Sequence, residues 1–188
     1  FLLAKKHKIK KIIFASSFSV DKFKENPSVY GLTKFTGESI CKTFTKNYGL
    51  KITIARISNA FGLYSSHKES VVHEFLKKAI NNKTLEIHST GRQKRDFIFA
   101  EDVALKIYKN LINKKYVKNI NICTNNFTSV LEVKNIIDSL TNNNNKFKFV
   151  KTPAGYDDTI YNIKKNKRII LLKNCLKKTY EWYIKNYN

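Results

Sequence analysis

The chain has 188 residues, 42% of them hydrophobic, and a formal net charge of +22 at pH 7. That length can bury a substantial core, as one domain or one and a half, and no apolar run approaches the roughly 20 residues that a membrane helix needs. The charge alone would suit a nucleic-acid binder, but only four of the 36 basic residues are Arg, the residue that best forks phosphates and base edges, and the Lys are spread along the whole chain.

In chain order, residues 1–8 read as the last turns of a helix entering a strand. Lys11-Ile12-Ile13-Phe14-Ala15-Ser16-Ser17 reads as a buried strand that ends in serines. Carboxyl ends of strands are where ligands bind in open α/β sheets. Val20 to Asn26 is a loop, and Asn26-Pro27-Ser28 supplies cap candidates for a helix over 28–47, which Gly49 closes. That helix puts Tyr30 and Lys34 one turn apart on one face. A free phenol titrates at about pH 10 and is a poor base near neutrality, but a nearby ammonium favours the phenolate. With a hydroxyl from Ser17 to bind the substrate oxygen, Tyr30, Lys34 and Ser17 can take a proton from a sugar or alcohol while hydride passes to a dinucleotide.

Residues 50–56 read as the next buried strand, and Asn59 follows it. Tyr64 to Glu69 is a polar loop over the expected pocket. Val71, Val72, Phe75, Leu76, Ala79 and Ile80 recur at helical spacing, and His73 among them is read as surface or structural. Residues 84–88 are a strand, followed by a turn at 89–91. Glu101 and Asp102 begin a helix through 112 and complement its positive end. Residues 119–123 are a strand returning to the sheet. Thr128-Ser129 opens a helix through Leu140, with Ser129 and Glu132 at capping-box spacing. Residues 147–150 are a short strand, and 175–187 a final amphipathic helix carrying Trp182. Cys41, Cys123 and Cys175 are odd in number and widely spaced, which suits a reducing cytoplasm. The four His do not cluster as metal ligands would.

Four motifs in order carry a resemblance: Phe14-Ala15-Ser16-Ser17; Tyr30-Gly31-Leu32-Thr33-Lys34 with Gly37-Glu38; Arg56-Ile57-Ser58-Asn59-Ala60-Phe61-Gly62; and the run from Gly91 to Ala104 that contains Arg95-Asp96-Phe97-Ile98. Over about residues 9–140 the chain resembles the extended short-chain dehydrogenase/reductase family, in its NAD-dependent epimerase/dehydratase branch acting on nucleotide sugars. The resemblance implies an α/β fold: the C-terminal part of a Rossmann-like parallel sheet with a smaller mixed α/β substrate-binding region. It places residues 1–62 and about 94–124 in the NAD-binding domain, and 63–93 and 125–188 in the substrate-binding region. It implies Ser17, Tyr30 and Lys34 as catalytic, Ser16, Tyr30, Lys34 and Ser58 as cofactor-binding, and Ser17, Asn59 and Arg95 as substrate-binding, the last two toward the diphosphate. No metal is implied. The cofactor is NAD, with NADP left open, and the partner molecule is a nucleotide-diphosphate sugar. The family often dimerises through the Tyr helix.

Two departures matter. The six glycines form no dinucleotide fingerprint, so the first half of the family fold, on the order of 100 residues, is expected to be missing and the chain to be a fragment or a remnant. Phe18-Ser19 follows Ser17 where sugar 4,6-dehydratases of this branch carry Asp-Glu, which argues against dehydration. The expectation is a cytoplasmic nucleotide-sugar epimerase acting at carbon 4. A related dehydratase, decarboxylase or reductase, a non-catalytic remnant, and a basic nucleic-acid-binding module are the alternatives.

Overall fold

Fifteen elements follow one another along the chain in the computed structural model, which describes residues 1–22, 28–65, 67–142, 144–152 and 169–186. They are α1 (Leu2–Lys6), β1 (Ile12–Ser17), α2 (Ser19–Lys22), α3 (Val29–Tyr48), β2 (Ile52–Ile57), β3 (Asn59–Phe61), α4 (Val71–Ile80) and β4 (Leu85–His88), then β5 (Lys94–Phe99), α5 (Ala100–Ile112), β6 (Asn119–Ile122), β7 (Phe127–Ser129), α6 (Val130–Thr141), β8 (Phe147–Val150) and α7 (Ile169–Asn186). No helix among the described residues is long and apolar enough to cross a membrane.

One unit comprises Phe1–Ser58 and Asp102–Cys123. Its sheet has the order β1-β2-β6 and both pairs are parallel, with Ile12 opposite Ile52 and Ser17 opposite Ile57. Parallel neighbours need a crossover, and α3 supplies it between β1 and β2. The β-branched run Ile52-Thr53-Ile54 is buried as a central strand should be. Ile52, Ile54, Leu50 and Cys41 form the core, with Ile12, Phe14 and Phe44 packed against it. β1 departs from expectation. It pairs on one side only among the described strands, and Ser16 is its one buried residue, while Ile12, Ile13 and Phe14 are half-buried.

Three local choices fix α3. Ser28 takes an extended conformation (φ −132°, ψ 150°) and its hydroxyl accepts the Gly31 N–H at 3.0 Å, satisfying an orphan donor. Gly49 ends the helix at φ 66°, a left-handed conformation open to glycine without strain. Gly37 lets α3 lie close on β1, because a Cβ there would collide with the Phe14 ring.

The other unit comprises Asn59–Glu101 and Thr124–Asn188. β3 pairs in parallel with β5, and β5 in antiparallel with β7, while β4 and β8 form a separate parallel pair. Asn59–Phe61 and Lys94–Phe99 therefore lie together in this unit rather than with the first sheet, where the sequence reading put them. Its core holds Phe61, Phe75, Leu76, Ile87, Ile137 and Tyr183 from five elements. Ser129 and Glu132 form the expected capping box of α6. Residues 20–22, read as loop, belong to α2, and α7 starts at Ile169, so Leu171-Leu172-Lys173-Asn174 is helical. Residues 157–167 and the loop residues 23–26 lie outside the described residues, as does Pro27.

Candidate active site

Capping at Ser28 puts Tyr30 in the first turn of α3, with Lys34 one turn on. Tyr30 is 56% exposed, so its phenol is open to a ligand. The Lys34 ammonium is not left to wander: Nζ donates to the Ala15 carbonyl of β1 at 3.0 Å. There it lies 5.5 Å from the Tyr30 ring centroid and 5.9 Å from that of Phe14. The strand end is held too, since the Ser17 Oγ accepts the Ser19 N–H at 3.2 Å and the Phe18 N–H donates to the Ile57 carbonyl at 3.3 Å. The structure thus gathers Tyr30, Lys34 and the carboxyl end of β1. Ser58, after β2, is tied to β6 through its N–H to the Ile122 carbonyl at 3.0 Å.

Ser16 points inward. It is 3% exposed, and its hydroxyl donates to Glu38 Oε1 at 2.6 Å. Glu38 is 2% exposed on α3 and is gripped by Arg56, whose Nε donates to Oε1 at 2.8 Å and Nη2 to Oε2 at 2.7 Å. Arg56 Nη1 also pairs with Asp21 of α2. Burial pushes the Glu38 carboxyl up, but hydrogen bonds from Arg56 and Ser16 and the charges of Arg56 and Lys42 outweigh it and hold the group below its usual range. The Glu38 hydrogen bonds, against some desolvation, raise Arg56 further above its ordinary value. The sequence reading missed this network. Its signal was Arg56 inside an otherwise apolar strand, since a charge there needs a partner.

In the second unit, Asn59 and Arg95 line one cavity of about 300 Å³, with Glu69, Ser70, Val72 and Phe97. The two residues expected to meet the diphosphate are 36 apart in sequence, and the β3–β5 pairing, with Asn59 opposite Phe97, brings them to one cavity. Asn59 Nδ2 donates to the Asp96 carbonyl at 3.3 Å. The Asp96 carboxylate accepts the Thr124 N–H and hydroxyl at 3.0 Å. His73 is not a surface residue. It is fully buried, with Nδ1 2.8 Å from the Tyr183 hydroxyl. Burial, reinforced by the charges of Lys68, Lys77 and His67, pushes it down to about 4. Among the described residues no three His, Cys, Asp or Glu side chains come together as a metal site.

The chain is similar to known proteins. The NAD dependent epimerase/dehydratase family matches residues 2–123. A protein of Methanocaldococcus jannaschii, provisionally named a UDP-glucose 4-epimerase, is 35% identical over 149 residues, 72% of this chain and 48% of its own length. A dTDP-D-glucose 4,6-dehydratase of Bos taurus is 27% identical over 178 residues, 88% of this chain and 50% of its own. The chain spans about half the length of the curated relatives it matches. The solved UDP-glucuronic acid 4-epimerase of Bacillus cereus, in complex with UDP-glucuronic acid and NAD, superposes with a TM-score of 0.81 at 23% identity, over 97% of this chain and 64% of that one. At that identity the likeness establishes the fold, the Rossmann-like α/β arrangement that the sequence implied. With the family match over residues 2–123, it follows that the chain belongs to the NAD dependent epimerase/dehydratase family.

Proposed function

We propose that the protein is a nucleotide-sugar epimerase acting at carbon 4 of the sugar by transient oxidation, with Tyr30 as the base. The observation that carries this reading is the pairing of an exposed phenol with an ammonium pinned beside it by the Ala15 carbonyl. In this reading Tyr30 accepts the proton of the 4-hydroxyl and returns it after the keto sugar has turned. Lys34 stabilises the phenolate that Tyr30 uses, and Ser17 donates a hydrogen bond to the 4-oxygen. The Asn59–Arg95 cavity takes the diphosphate, for which a guanidinium fork is suited.

The residues present fit one end of a nicotinamide dinucleotide. Tyr30 and Lys34 offer a hydroxyl and an ammonium to its ribose, and Ser58 lies at the neighbouring strand end. Ser16 belongs to the same strand end, its hydroxyl being held by Glu38. When bound, the dinucleotide supplies the acceptor for the carbon-4 hydride and gives it back. The pyrophosphate has no glycine cradle among the described residues, where Gly37 and Gly49 serve packing and helix termination. NAD is the cofactor of this reading, and the Bacillus cereus enzyme was solved with it.

A 4,6-dehydratase is the second reading, favoured by relatives of that name. Against it, Phe18 and Ser19 stand after Ser17, and Asp21, the next carboxylate, is committed to Arg56. Incubation with UDP-glucose, UDP-glucuronate or dTDP-glucose, followed by proton NMR, separates the two. The epimerase reading predicts a mixture of carbon-4 epimers of unchanged mass. A product lighter by one water would overturn it. We place the protein in the cytoplasm on its odd, widely spaced cysteines, and as a homodimer through the outward face of α3.

A further inference from the structure

Tyr30, Lys34 and Glu38 follow one another at one-turn steps on a single stripe of α3. A Lys and a Glu so spaced are within pairing reach on a helix surface. In this helix they stay apart. Glu38 is turned into the protein, where Ser16 and both arms of the Arg56 fork take its two oxygens. Lys34 goes to the Ala15 carbonyl instead. A third charge, Asp21 of α2, fixes the far side of the Arg56 guanidinium.

We propose that Arg56 is a positioning residue for the Tyr30–Lys34 pair: by holding Glu38 inward against Ser16, it denies Lys34 a carboxylate partner and keeps the ammonium for the phenol. Without the fork, Glu38 is left buried and unpaired, a costly state that it escapes by turning outward along its own stripe. Two lysines wait there, Lys34 one turn before and Lys42 one turn after. Lys34 is half-buried and Lys42 exposed, so the pair with Lys34 is the less screened. The functional meaning of this device rests on the epimerase reading. Its test does not.

The test is acylation by dilute acetic anhydride of the protein as its cell produces it, read at Lys34 and Lys42 by peptide mass spectrometry. Only the neutral amine reacts, so an ion pair slows the site. Arg56→Leu is expected to slow Lys34 by about twofold. The double variant Arg56→Leu/Glu38→Gln, which removes the carboxylate, is expected to restore the rate. An unchanged Lys34 rate in Arg56→Leu overturns the proposal, and so does slowing at Lys42 alone. A double variant as slow as the single one overturns it too, because a displaced helix would then explain the loss. Should Arg56→Leu not fold, Arg56→Lys is read on the same terms with a smaller slowing. Turnover is measured separately: labelling as expected with no sugar turnover in any variant upholds the inference and rejects the epimerase reading.

Discussion

One backbone carbonyl fixes where the Lys34 ammonium lies. A Tyr and a Lys four residues apart occur on many helices, and the Ala15 carbonyl at 3.0 Å is what anchors this Lys beside its Tyr. That anchor was not legible in the sequence, because it joins residues 19 apart across a helix–strand contact. That Tyr30 and Lys34 lie one turn apart on one helix was legible from their spacing. Glu38 was not, since an acidic residue on a helix reads as solvated until its partner is seen. His73 makes a similar point, with a measurable consequence. Its folded value of about 4 lies below the ordinary 6.5, so the unfolded chain takes up the proton first as pH falls. The contribution of the neutral ring is fully present above pH about 6.5 and is lost progressively down to about 4, by up to about 3 kcal/mol. Urea unfolding at about pH 7 and about pH 4.5 checks this: the wild type should lose more stability between the two than His73→Leu does. Parallel losses in both proteins would contradict it.

At the scale of elements, the strongest sequence signals are those with a stop or start built in. Ser28 and Gly49 bracket α3, and Ser129 with Glu132 starts α6 as the spacing predicts. Elements lacking such punctuation were missed: α2 has four residues, and β3 and β7 three each, too few to show a period. β5 was hidden for another reason, since Lys94-Arg95-Asp96 begins it with charges and its burial comes from tertiary pairing with β3 and β7. The cap at Ser28 matters beyond α3 because the first turn carries Tyr30. Ser28→Ala should cost about 1 kcal/mol of stability. In a chain of this size that lowers Tm by about 2–4 °C, and Ser28→Asp should recover it. Equal melting of wild type and alanine variant would show that the Gly31 N–H finds another acceptor.

On the scale of the whole molecule, α3 has two unlike faces. Lys34 and Glu38 bond to β1, while Val29, Leu32 and Ile40 on the other side are 82%, 48% and 45% exposed. An apolar face of that kind is what a second copy would cover, and sedimentation of wild type against Leu32→Glu tests it: a dimer should become a monomer. A wild type that sediments as a monomer would contradict the homodimer proposal. The charge of +22 favours anionic ligands at long range without choosing among them. The proposed chemistry rests on the Tyr30 phenol, so the decisive measurement is turnover and binding of a nucleotide sugar by Tyr30→Phe in the protein as its cell produces it. The account predicts sugar-nucleotide affinity within a few-fold of wild type and carbon-4 epimerisation slower by about two orders of magnitude or more. Equal turnover in wild type and Tyr30→Phe would contradict the assignment of Tyr30 as the base.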